Sequence, residues 1–258
     1  MVLTDANYYS VEANKEYMSV SQFKSFRKCE YAALQEINGE YSRAESTALL
    51  VGSYVDAYYE GTLDHFRDTH PDIFKRDGSL KADYAQAELI IRRLRIDPFF
   101  SKYMSGDKQL ILTGQIEGIP FKCKIDSFHP GKAIVDLKVM RNFEPVYVPG
   151  AGKLNFIEAW GYDIQGAVYQ EIVRQNTGER LPFYIAAATK EATTDLAVFE
   201  VPQEILDVQL DLVKSEVERY QTVKLGLDEP IRCGHCECCK YNKVLDRVTT
   251  WEELNNEY

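Results

Sequence analysis

Apolar positions along the chain change their period part-way through. In residues 18–37 (MSVSQFKSFRKCEYAALQEI) Phe23, Phe26, Ala33, Leu34 and Ile37 recur at helical spacing after a Ser cap candidate at Ser19 or Ser21, which predicts one helix carrying Cys29. A second helical pattern covers STALLVGSYVDAYYEGTL, and a third covers residues 82–104, interrupted near Pro98, where proline removes a backbone donor. The period then drops to two. KQLILTGQIEG, IPFKCKIDSF and KAIVDLKVM read as three strands of a meander punctuated by Gly and Pro. A loop, EPVYVPGAGK, leads into a long helix, FIEAWGYDIQGAVYQEIVRQNTG. Strands PFYIAAATK and LAVFEVP, the helix PQEILDVQLDLVKSEVERYQTVK, a cysteine cluster and a short WEELNN segment follow. The order predicts an α/β protein, an α+β-like mixed sheet flanked by helices, with no linker to divide it.

The strand alternation brings chemistry together. Lys122, Lys124 and Asp126 share one face of their strand, and Asp136 and Lys138 share a face of the next. If the turn at His129, Pro130 and Gly131 pairs Phe128 with Ile134, Asp126 falls opposite Asp136 and Lys124 opposite Lys138. Opposed like charges in a sheet cost roughly 0.2–1 kcal/mol, more where the site is dry, so a positive group belongs between them. Lys138 and Lys124 would meet that need as a salt-bridged patch; a hard divalent cation such as Mg²⁺ would meet it as a metal site.

Composition refines this picture. Forty acidic against thirty basic residues give a net charge of -10, which argues against non-specific coating of nucleic acid by the whole surface. Locally the balance reverses: residues 120–141 hold Lys122, Lys124, Lys132, Lys138 and Arg141 against Asp126 and Asp136. No apolar run reaches the roughly 18 residues of a membrane span and the N-terminus lacks a secretory apolar stretch, so a soluble, cytoplasmic protein is expected. Four of the six cysteines, Cys233, Cys236, Cys238 and Cys239, fall within seven residues, a ligand-like grouping that leaves zinc, an iron–sulfur cluster and free thiols all open.

An Asp ending one strand, a short hairpin, then Ile134, Val135, Asp136, Leu137 and Lys138 resembles the PD-(D/E)XK nuclease superfamily. Tyr162, Gln165 and Tyr169, on one face of the following helix, resemble the Q-x-x-x-Y motif of its RecB-like branch. In VGSYVDAYYEG, Asp56 stands where RecE-like members carry a His, and Glu60 lies one turn beyond. The order of parts is similar to phage-type RecE-like exonucleases over most of the chain.

The resemblance implies a restriction-endonuclease-like core in one domain, 1–258, with a helical portion at about 20–105, the core at about 106–225 and a Cys-rich segment at 231–241. It implies a metal-dependent exodeoxyribonuclease processing duplex DNA ends in phage-type recombination. One or two Mg²⁺ or Mn²⁺ ions would be held by Asp56, Asp126, Asp136 and the Leu137 carbonyl. Lys138 would orient the attacking water, and Gln165 and Tyr169 would touch DNA or brace Lys138. Lys122, Lys124, Arg141 and Tyr162 are candidate DNA contacts. Cys29 with Cys233, Cys236 and either Cys239 or Cys238 resembles the 4Fe–4S staple of AddB-type nucleases, whose last Cys stands further along. A single-strand annealing protein and a homo-oligomer are implied partners. The competing reading is a non-catalytic DNA-binding or scaffold protein organised by the cysteine-bound metal, its acids diverging or all paired to Lys and Arg.

Overall fold

A computed structural model describes residues 1–245 and 247–251. The chain opens with α1 (Val11–Glu16), α2 (Val20–Lys28), α3 (Glu30–Asn38), α4 (Thr47–Glu60), α5 (Leu63–Thr69), α6 (Gln86–Ile96) and α7 (Pro98–Tyr103). Three strands follow, β1 (Asp107–Ile116), β2 (Ile119–His129) and β3 (Ala133–Met140), then the small hairpin β4 (Val146–Val148) and β5 (Gly152–Leu154). The chain continues through α8 (Phe156–Ala159), α9 (Tyr162–Thr177), β6 (Phe183–Thr189), β7 (Leu196–Glu200), α10 (Gln203–Lys224) and α11 (Glu237–Tyr241).

The main sheet has the order β1-β2-β3-β6-β7, antiparallel except for the parallel β3–β6 pair, whose crossover contains α9. Alternation along β3 sorts its side chains into two cores. Ile134 and Met140 join Phe183, Ile185 and Ala187 under α2, α9 and α10, whereas Ala133, Val135 and Leu137 join Ala186 and Ala188 under α4 and α6. Helices therefore cover both faces, as a partly parallel sheet requires. Among the described residues no helix is long and apolar enough to cross a membrane.

Four departures from the sequence expectation have local causes. The helix expected over 18–37 is two, because Cys29 is extended (φ -167°, ψ 109°), ending α2 and capping α3, with its thiol accepting from Ala32 N. The helix expected from Phe156 breaks at Gly161, whose φ of 63° is the left-handed conformation that glycine adopts without a Cβ clash. The Pro- and Gly-rich loop at 144–153 contains the β4–β5 hairpin. The N-terminal segment, which carries no apolar periodicity, packs on the sheet: Met18 bridges Phe121, and Tyr8 is buried. Of the terminal WEELNN segment, the part after Trp251 lies outside the described residues.

Candidate active site

The site begins where two strands part. Phe128 pairs with Ile134 as the turn predicts, but the β2–β3 ladder stops at Ser127↔Val135, although both strands continue. In place of the next backbone bond, Asp126 Oδ2 accepts from Leu137 N at 2.8 Å. The fork that opens beyond it is the mouth of a cleft of about 400 Å³ whose walls include Asp56, Glu60, Asp126, Asp136, Lys138 and Gln165. A forked sheet lets α4 reach the same space from one face that α9 reaches from the other.

Strand geometry also places the Leu137 carbonyl. Ile134 N bonds to Pro182 O and Met140 O receives Lys190 N, so the even-numbered residues of β3 bond toward β6. Adjacent strand residues alternate edges, and the N–H and C=O of one residue share an edge. Leu137, whose N–H meets Asp126, thus directs its C=O into the fork.

Opposite Asp126, β1 is distorted. Gln109 has φ 52°, a left-handed conformation costing a non-glycine residue about 1 kcal/mol or more, and its Nε2 donates to Asp126 Oδ1 at 3.3 Å. Ile125 and Phe128, three apart, both pack into one core, so strict alternation fails across Asp126. The strain accompanies a turned carboxylate.

Asp136 is only 2% exposed. Its Oδ1 accepts from Gln165 Nε2 at 2.7 Å, and Lys138 Nζ stands 2.5 Å from Oδ2. Oδ2 is thus engaged by the ammonium. Burial and then the charge of Asp136 push the Asp126 carboxyl up to about 7, against the opposing effect of Lys138 and its two donors. Burial and then Asp126 push Asp56 well above the usual carboxylate range. For Lys138, burial favours the neutral amine, but Asp136 and Asp126 outweigh it and hold the ammonium protonated. Lys138 also lies over the Tyr162 ring, 5.0 Å from its centroid.

Tyr169 is buried and donates from its hydroxyl to Lys124 O at 3.2 Å, so it braces the strand that carries Asp126. The presumption of Lys122 as a phosphate contact is corrected: it is 1% exposed, and its ammonium donates to Tyr8 O and to Asn14 Oδ1, tying the N-terminal segment to β2. Lys124 pairs with Asp5 at 3.2 Å. Arg141 is exposed beyond β3. Sequence reasoning missed Gln109, Lys24, Tyr8 and Tyr9. Lys24, 5.4 Å from the Tyr162 ring centroid and pulled down to about 8 by burial and then by Lys138, looked like an ordinary polar position of an amphipathic helix.

A carbonyl turned into the cleft and buried carboxylates that converge there and resist ionising together suit a hard cation with oxygen ligands. The donor set fits a divalent metal.

A second group lies apart from the cleft. The sulfurs of Cys29, Cys233, Cys236 and Cys239 all fall within 4.8 Å of one another, while Cys238 is outside this group and Cys123 is buried in the sheet core. His235 Nδ1 is engaged with Cys233 O at 2.8 Å.

The family described as a PDDEXK-like domain of unknown function (DUF3799) matches residues 19–242. The crystal structure of a protein from Eubacterium rectale named "Putative exonuclease" superposes with a TM-score of 0.95 at 50% identity, covering 98% of both chains. No curated protein matches. With the matched span taking in the forked strands, the Gln165 helix and the cysteine group alike, the chain belongs to the PDDEXK-like DUF3799 family.

Proposed function

We propose that the protein is a metal-dependent deoxyribonuclease that acts as an exonuclease on duplex ends, the role in phage-type recombination that its resemblance to RecE-like enzymes implies. The observation that carries this reading is the fork in which the buried Asp136, Asp126, Asp56 and the Leu137 carbonyl meet at one cleft. Against the scaffold reading, which needs the acids to diverge or all to be paired, Asp56, Asp126 and Asp136 line one cleft, and Asp56 and Asp126 have no Lys or Arg ion pair among the described residues.

Asp56, Asp126, Asp136 and Leu137 O would hold Mg²⁺ or Mn²⁺. Bound there, the ion supplies Lewis-acid relief of phosphoryl charge and a more acidic water. Lys138, which Asp136 and Asp126 favour as an ammonium, would contribute positive charge beside the scissile phosphate and orient the nucleophile. Gln165 fixes the Asp136 carboxylate through Oδ1, while Lys138 pairs with Oδ2. Tyr162 supports the Lys138 ammonium through its ring face. Arg141, and Lys124 if released from Asp5, would make phosphate contacts that position DNA without reading sequence. A homo-oligomer and an annealing partner accord with the same resemblance.

The test is digestion of linear and covalently closed circular duplex DNA with Mg²⁺ or EDTA. Loss of the linear form alone, only with Mg²⁺, is expected; equal loss of both forms would replace the exonuclease with an endonuclease, and no loss with any divalent ion would overturn the catalytic reading.

A further inference from the structure

The cysteine group is built for a single ion. Zn–S bonds of about 2.3 Å set the edges of a tetrahedral four-thiolate site at about 3.8 Å. Here Cys29 and Cys239 sulfurs lie 3.5 Å apart, Cys233 and Cys239 4.0 Å apart, and all four within 4.8 Å. In a 4Fe–4S cluster each thiolate binds a different iron of a cube, and that cage spreads the sulfurs well beyond such edges.

The backbone is arranged for thiolates. Ala32 N donates to Cys29 Sγ, Cys236 N to Cys233 Sγ and Cys239 N to Cys236 Sγ, each at 3.4 Å. Three of the four sulfurs thus receive an amide from the residue three positions on, which requires the extended break at Cys29 and the turns at 233–236 and 236–239. Arg232, stacked on Tyr31 at 3.6 Å, shares a pocket wall with Cys233 and Cys239 and puts a cation near a site whose four thiolates would exceed the charge of the ion.

We propose that Cys29, Cys233, Cys236 and Cys239 bind one Zn²⁺ as a closed, mononuclear tetrahedral site, with no iron–sulfur cluster. Four Zn–S bonds form, the thiol protons pass to solvent, and no electron is transferred. A site with all four positions filled by protein has no place for substrate, so its role is structural. It fastens the segment after α10 to the α2–α3 junction, where the Glu30 carboxylate already holds Arg219 and Ile231 N. Through α2 and α3, which contribute Ser25, Ala33 and Ile37 to the cleft wall, the clamp supports the active site without touching it.

The inference does not rest on the nuclease reading, and its test does not read activity. Full-length protein purified without oxygen and with reductant is assayed for zinc, iron and acid-labile sulfide. One zinc per chain with neither iron nor sulfide is expected; iron in any form, sulfide, or no bound metal under reducing conditions would overturn the proposal. Cys239→Ala should fall well below one equivalent and Cys238→Ala should retain it, and the reverse would overturn the ligand set. Should Cys239→Ala fail to fold, Co²⁺ titrated into metal-stripped wild type decides the geometry: tetrahedral thiolate bands saturating at one equivalent support it, and octahedral spectra or a different stoichiometry overturn it.

Discussion

Asp126 is the residue in which the properties of the site meet. Its carboxyl is held near 7 by burial and by Asp136, so in the metal-free protein its neutral form is favoured by the fold. A carboxyl whose folded value lies above its unfolded value contributes stability at low pH that is lost as pH rises through the folded value. Without divalent ions, wild type should therefore lose stability relative to Asp126→Asn between about pH 4 and pH 7–8. Urea unfolding in EDTA across that range checks the sign, and a constant difference would contradict it. Neutralising Asp136 acts on the same group from the other side: Asp136→Asn should move the Asp126 titration downward, as followed by carboxyl NMR. An unchanged titration would mean that burial alone sets it.

At the scale of elements, close packing of α9 carries the site. Gly166 lies one residue beyond Gln165, and a Cβ there would stand 2.5 Å from the Phe183 ring and 2.9 Å from Leu206, both fully buried. Gly166→Ala gains up to about 1 kcal/mol of helix propensity but forces overpacking that typically costs about 1–3 kcal/mol. Net destabilisation is expected in denaturant unfolding, and a more stable variant would show that β6 and α10 yield easily. The strands, the Phe128–Ile134 register and the faces of Asp136 and Lys138 were legible from a period of two and a turn. The fork was not, because it arises where Asp126 replaces a backbone acceptor and Gln109 takes a left-handed conformation, neither of which leaves a compositional trace. Cys29 misled for a related reason: its helix-compatible surroundings hide an extended residue held by contacts with cysteines some two hundred positions away.

In the whole molecule, the sheet divides two cores and the cleft opens at its fork, so elements from both faces must be seated before the acids converge. The order of motifs along the chain made the family legible, whereas the N-terminal segment, with Tyr8 and Asn14 receiving the Lys122 ammonium, appears only in three dimensions. Divalent ion binding should raise thermal stability at pH 8 more than at pH 5, since the ion displaces protons from Asp126 and Asp56; equal shifts at both values would argue against these ligands. The central claim is that Asp136 and Lys138 act together at a metal-dependent phosphodiester site. The direct measurement is the Mg²⁺-dependent rate of nucleotide release from end-labelled linear duplex by wild type, Asp136→Ala and Lys138→Ala, with folding verified by circular dichroism. A loss of at least about a hundredfold in both variants is predicted, and folded variants that digest DNA at the wild-type rate would contradict the account.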